Sequence, residues 1–205
     1  MRLGLDFDNT IVRYDELFHR VALEGGWIPA DLPASKLSVR DRLRRDGRES
    51  VWVEMQGYVY GARMGEAEIF PGVVEFLQWA RSSDLSTCIV SHKTRHPFSG
   101  PKYDLHEAAR AWVSQRLRDE SGPLLPEAMV YFELTKEEKL ARIGALNCTV
   151  FVDDLPEILD TPAFPARTAP ILFDPDRHHG DSSLPRLNSW TELRHALEER
   201  CRLSS

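Results

Sequence analysis

Cysteine is scarce: Cys88, Cys148 and Cys201 are the only three in 205 residues. Three scattered thiols build neither a disulfide framework nor a zinc site. Cys88 and Cys148 lie in or beside apolar, strand-like runs, where a reduced cysteine acts as a small hydrophobe. No apolar run approaches the roughly 20 residues that a membrane-crossing helix needs, so no membrane partner is expected. Positive charge is also short: 26 Lys and Arg against 32 Asp and Glu leave a formal net charge of −6. That field disfavours a nucleic-acid backbone as partner, although a local basic patch can override it. The first residues enter an apolar run without the character of a secretion signal, and a cytoplasmic protein is expected. Internal repeats and low-complexity tracts are absent. What is present, 42% hydrophobic and 28% charged residues, suits one globular domain, or a core domain with a modest insertion.

The run Leu3-Gly4-Leu5 has strand length and ends in two acids one residue apart, Asp6 and Asp8. A polar, mixed segment follows, over about 13–69. Its apolar spacing predicts short helices over Asp15–Leu23, Ser35–Asp46 and Glu49–Met64, the last interrupted by Gly57 and Gly61. The rhythm changes at Phe70-Pro71-Gly72. A helix carrying Val73, Phe76, Leu77 and Ala80 leads to a buried-strand run over 86–91 and then to a basic loop over 92–102. The plainest helical stripe comes next, over 104–120, with Leu105, Ala108, Ala109, Trp112, Val113 and Leu117 on one side. A strand over 128–132, a helix capped by Thr135, a strand over 149–152, a strand over 171–173 and a helix over 190–201 complete the chain. Strands alternating with helices predict a doubly wound, mainly parallel, Rossmann-like α/β sheet. The expected division is a core of residues 1–12 and 70–205 with a small helical insertion at 13–69.

Parallel strands bring their carboxyl ends to one edge, where ligands bind in open α/β sheets. The first strand delivers Asp6 and Asp8 there, the second Ser91, and the fourth Asp153 and Asp154. Lys136 opens the helix after the third. Clustered acids repel one another, and a hard divalent cation relieves the repulsion. Acids holding Mg²⁺, with a hydroxyl and a lysine to neutralise phosphate oxygens, describe phosphoryl transfer.

These residues resemble the haloacid dehalogenase (HAD) superfamily, in its Mg²⁺-dependent phosphatase branch. The resemblance rests on Asp6-Phe7-Asp8-Asn9-Thr10, Ile89-Val90-Ser91, Lys136 and Val152-Asp153-Asp154, in that order, with Phe70-Pro71-Gly72-Val73 at the entry to the preceding helix. It implies that Asp6 is the nucleophile and passes through an aspartyl phosphate. It also implies that Asp8 is the general acid and then the base, with its backbone carbonyl on the metal, and that Thr10 orients Asp8. Ser91 would donate to a phosphate oxygen. Lys136 would neutralise nucleophile and phosphate, with Lys139 as its rival; Leu140 and Ile143, four and seven residues on, favour Lys136. The implied metal set is Asp6, Asp8, Asp153 and Asp154, with Asp154 the direct ligand and Asp153 its companion. Asn9 stands where the family often has glycine, and asparagine tolerates such a turn. Relatives that cut carbon–halogen or carbon–phosphorus bonds lack an acid at the place of Asp8, so a phosphate ester is the expected substrate. The helical insertion falls where the family places a cap.

The loop after Ser91 offers His92, Lys93 and Arg95 as substrate-binding residues, since function concentrates in such loops. Arg40, Arg42, Arg44, Arg45 and Arg48 read as a solvated helix face rather than an anion track. His178 and His179, with Asp174 and Asp176, read as an exposed loop. The expected partner is a small phosphorylated metabolite. A phosphotransferase, a nucleic-acid-end phosphatase and a non-catalytic binding module stand as alternatives.

Overall fold

The architecture follows from one sheet, seen in a computed structural model that describes residues 1–180 and 182–203. Its strands are β1 (Arg2–Leu5), β2 (Ser86–His92), β3 (Val130–Glu133), β4 (Val150–Asp153), β5 (Ala169–Phe173) and β6 (Arg186–Leu187). They run in the order β6-β5-β4-β1-β2-β3, and every pairing is parallel. The doubly wound α/β expectation is met. The two-residue β6 adds an edge that no periodicity in the sequence announced. From β1 the chain winds outward one way through β2 and β3, and the other way through β4 to β6. The order therefore reverses beside β1, and such a switch point is where these sheets bind ligands.

The chain clusters into two units. The first comprises residues 1–11, 69–92 and 117–205, and the second residues 12–68 and 93–116. Within the first, the register puts Gly4 beside Cys88 on one side and Phe151 on the other. All three share a sheet face. That face packs on Leu140 and Ile143 of one helix and on Ile158 and Leu159 of a short one. The opposite face is closed by aromatics: Trp190 lies 5.0 Å from Phe76 and 5.9 Å from Phe173, ring centre to ring centre. Cys88 and Cys148 are reduced and buried, with sulfurs 3.8 Å apart, as small apolar fillers.

The second unit contains α1 (Asp15–Glu24), α2 (Lys36–Arg45), α3 (Glu49–Tyr60) and, from later in the chain, the helix Leu105–Arg116. Residues 93–116, assigned to the core on sequence, belong here. The reason is close packing: a side chain at Gly57 would strike Pro97, and one at Gly61 would strike Tyr103. The Trp112 indole donates to the Ala67 carbonyl at 3.0 Å, and Arg116 donates to the Gly65 carbonyl at 2.7 Å. The glycines that seemed to interrupt α3 are contact points. Among the described residues, no helix is long and apolar enough to cross a membrane.

Gly4 tests the sheet packing. A Cβ there would lie within 3.0 Å of the Cys148 sulfur and overlap the Phe151 ring. Gly4→Ala is expected to lower unfolding free energy by about 1–3 kcal/mol, read from urea denaturation.

Candidate active site

Alternation along two neighbouring strands builds the centre of the site. Gly4 and Asp6 fall on the same face of the β1 line, as do Phe151 and Asp153 of β4. The Asp6 amide donates to the Val152 carbonyl at 2.8 Å, which continues the ladder one step past β1. Both carboxylates are buried and point to the face on which helix α4 (Val73–Ser82) does not pack; α5, the helix Leu105–Arg116, belongs to the other unit. Helix α6 (Lys136–Ala145) covers that face through Leu140 and Ile143.

Lys139 reaches the acids from α6. Its Nζ lies 2.6 Å from Asp6 Oδ1 and 2.6 Å from Asp153 Oδ2, and its side chain is fully buried. Lys136, the lysine preferred on sequence, is exposed and pairs with Glu157 at 3.3 Å. The correction has a geometric cause. Thr135 closes a capping box with Glu138, which makes Lys136 the first helical residue. Helical side chains tilt toward the amino terminus, so a first-turn lysine points off the end, whereas one a turn further in leans back over the strand ends.

The remaining donors fix individual oxygens. Ser91 Oγ donates to Asp6 Oδ1 at 2.8 Å, so this hydroxyl holds the acid that the sequence reading made the nucleophile. Both side-chain donors thus converge on Oδ1. Asp153 accepts from Lys139 on Oδ2 and from the Leu155 amide on Oδ1 at 3.1 Å. Asn9 sits at φ 58° and donates from Nδ2 to Asp154 Oδ2 at 3.2 Å. Its left-handed turn was anticipated, but its bond to Asp154 was not; an amide in a turn beside an acidic motif is the signal that could have found it.

Asp6, Asp153 and Asp154 form the acidic cluster, with one carboxylate oxygen from each lying within 4.8 Å of the others. Asp8, half-buried, is outside that carboxylate set; the contact expected of it is through its backbone carbonyl, not its carboxylate. Its side chain follows Asp6 by two residues but lies beyond the end of β1, where strand alternation no longer aims it. Thr10 Oγ1 is buried with no hydrogen-bond partner, so the expected orienting bond to Asp8 is not made. His92 ends β2, whereas Lys93 and Arg95 belong to the second unit. There the Lys93 ammonium lies 4.5 Å from the centre of the Tyr60 ring, and Arg95 pairs with Asp104 at 3.0 Å.

Three carboxylates against one ammonium leave the cluster two charges negative when all are ionised. Burial pushes the Asp153 carboxyl up to about 7, with Lys139 pulling the other way and Asp6 adding to the rise. Burial alone would lower the Lys139 pKa, but the Asp153 and Asp6 carboxylates outweigh it and hold the ammonium charged. An all-oxygen donor set with surplus negative charge fits a hard divalent cation such as Mg²⁺. Burial, then the Lys139 charge, lowers the His92 pKa and favours the neutral ring.

Two other features resolve as structure. Arg40, Arg42 and Arg44 pair with Asp41, Asp46 and Glu49 at 2.9, 2.7 and 2.7 Å, a solvated face that matches the expectation. Asp174, placed in an exposed loop on sequence, is buried and accepts from the His178 and His179 amides, tying that loop down.

No family model matches the chain. A protein of Oceanobacillus iheyensis with a provisional nucleotidase designation is 23% identical over 203 residues, covering 94% of this chain and 97% of its own. A HAD-superfamily hydrolase from Ehrlichia chaffeensis superposes with a TM-score of 0.57 at 14% identity, over 100% of this chain and 97% of that one. A HAD-family hydrolase from Deinococcus radiodurans, solved with bound phosphate and sodium, gives 0.58 at 18% identity over 97% and 95%. The chain therefore has the fold of the HAD-superfamily hydrolases, and the resemblance in its motifs is borne out at that level.

In metal-free buffer, Lys139→Met is expected to cost about 3–5 kcal/mol, because it strands two buried acids. Lys136→Met should stay within about 0.5 kcal/mol of the parent, both read by chemical denaturation. The lowered His92 pKa means that the unfolded chain binds the proton more readily than the fold. Stability from this group is therefore present above the unfolded value of about 6.5 and falls as pH drops through it toward the folded value. Asp153, raised in the fold, acts in the opposite sense, so the comparison isolates His92: His92→Gln should lose less melting temperature than the parent between pH 7 and pH 5.

Proposed function

We propose that this protein is a Mg²⁺-dependent phosphatase that hydrolyses a small phosphate monoester through an aspartyl phosphate on Asp6. One observation carries the reading. Asp6 is held by Ser91 and Lys139 through a single oxygen, Oδ1, beside the Asp153 and Asp154 carboxylates. That arrangement orients Oδ2 as a nucleophile and lowers the charge an incoming phosphate would meet.

In this reading Asp6 Oδ2 attacks phosphorus as the bond to the leaving oxygen breaks, and Asp8 protonates the departing alkoxide. Asp8 then takes a proton from water, whose oxygen attacks the phosphoryl group and releases inorganic phosphate with Asp6 regenerated. Lys139 balances charge on Asp6 throughout. Asp6 and Asp154 would hold the cation, with Asp153 as companion, since both Asp153 oxygens already accept protein hydrogen bonds. When bound, Mg²⁺ supplies charge neutralisation for the acids and the phosphate.

The nucleotidase designation of the Oceanobacillus relative makes nucleoside monophosphates the first substrates to test among small phosphorylated metabolites. The paired arginines of α2 argue against a nucleic-acid end as substrate.

The test is phosphate release from an aryl phosphate and then from a nucleotide panel. Release should require Mg²⁺, stop on chelation and fall at least about a thousandfold in Asp6→Asn, the order of loss on removing an essential nucleophile. Turnover that persists in that variant would contradict the proposal.

A further inference from the structure

The pattern that this chain resembles commonly has glycine where Asn9 stands. Glycine adopts a left-handed turn without cost, while asparagine does so at a small one. Here Asn9 takes φ 58° and brings an amide to 3.2 Å from Asp154 Oδ2. Because a carboxylate only accepts, this contact requires the nitrogen, not the oxygen, of the amide to face Asp154.

The other two acids of the cluster are held from within the sheet and α6: Asp6 by Ser91 and Lys139, and Asp153 by Lys139 and the Leu155 amide. Asp154 lies past the end of β4 and is half-buried, so strand geometry fixes it less. A charged donor placed there would compete with a cation for the carboxylate. A neutral amide restrains the carboxylate without adding positive charge.

We propose that Asn9 is a positioning residue that holds Asp154 ready for the divalent cation and so sets the protein's Mg²⁺ affinity. The proposal rests on the metal-dependent reading given above. Partners that orient a metal-ligating group typically change metal affinity 10–100-fold when removed.

Asn9→Gly removes the amide and keeps a backbone suited to positive φ. Calorimetric titration with Mg²⁺, without substrate, should give a dissociation constant about tenfold above that of the parent. Metal-free unfolding midpoints should agree, and kcat at saturating Mg²⁺ should return to within about twofold. Unchanged Mg²⁺ affinity would overturn the proposal, as would weakened turnover that saturating Mg²⁺ does not restore. A parent protein that binds no divalent cation would instead remove the metal-dependent reading, and this inference with it.

Discussion

One ammonium between two buried carboxylates organises this molecule. Lys139 lies 2.6 Å from both Asp6 and Asp153, with no exposure of its own side chain. Removing three charged groups from water is costly unless each finds a partner, so the positions of β1, β4 and α6 are fixed together. Neighbouring parallel strands deliver the acids, and the helix on their shared face delivers the lysine. The compensation is incomplete, since Asp154 joins the same cluster. An edge that stays negative while tightly held is what the proposed cation and phosphate would meet.

The sheet supports this arrangement at its switch point. β1 is the central strand from which the chain winds in both directions, and its Gly4 admits the Phe151 ring and the Cys148 sulfur where any side chain would collide. The tight approach keeps β1 and β4 in register, which in turn sets Asp6 against Asp153. Ser91, from the strand on the other side, completes the hold on Asp6. Asn9 extends the hold to Asp154 from the turn that follows β1. Each acid is thus restrained by a different piece of chain.

Strand alternation made much of this legible in advance. Strand-like runs ending in Asp6, Ser91 and Asp153, alternating with helical runs, gave parallel strands with a shared edge, though not their order, because side-chain period and helix period are local properties of sequence. The choice of lysine was not legible from spacing alone. The spacing to Leu140 and Ile143 favours Lys136, whereas the capping box at Thr135 makes Lys136 the first helical residue and leaves Lys139 to lean over the sheet. Residues 93–116 escaped assignment to the second unit because their packing depends on contacts remote in sequence, Pro97 on Gly57 and Tyr103 on Gly61. The hydrogen bond expected from Thr10 is likewise a matter of side-chain direction, which no motif encodes.

The central claim is that Asp6 and Asp154 hold a single cation with Asp153 beside it. Crystals soaked in Mn²⁺ and examined by anomalous scattering test it directly. The account predicts one peak within coordination distance of Asp6 and Asp154, with Asp153 adjoining and the Lys139 contact to Asp6 retained. A peak bound elsewhere, or none at this cluster at saturating Mn²⁺, would contradict it.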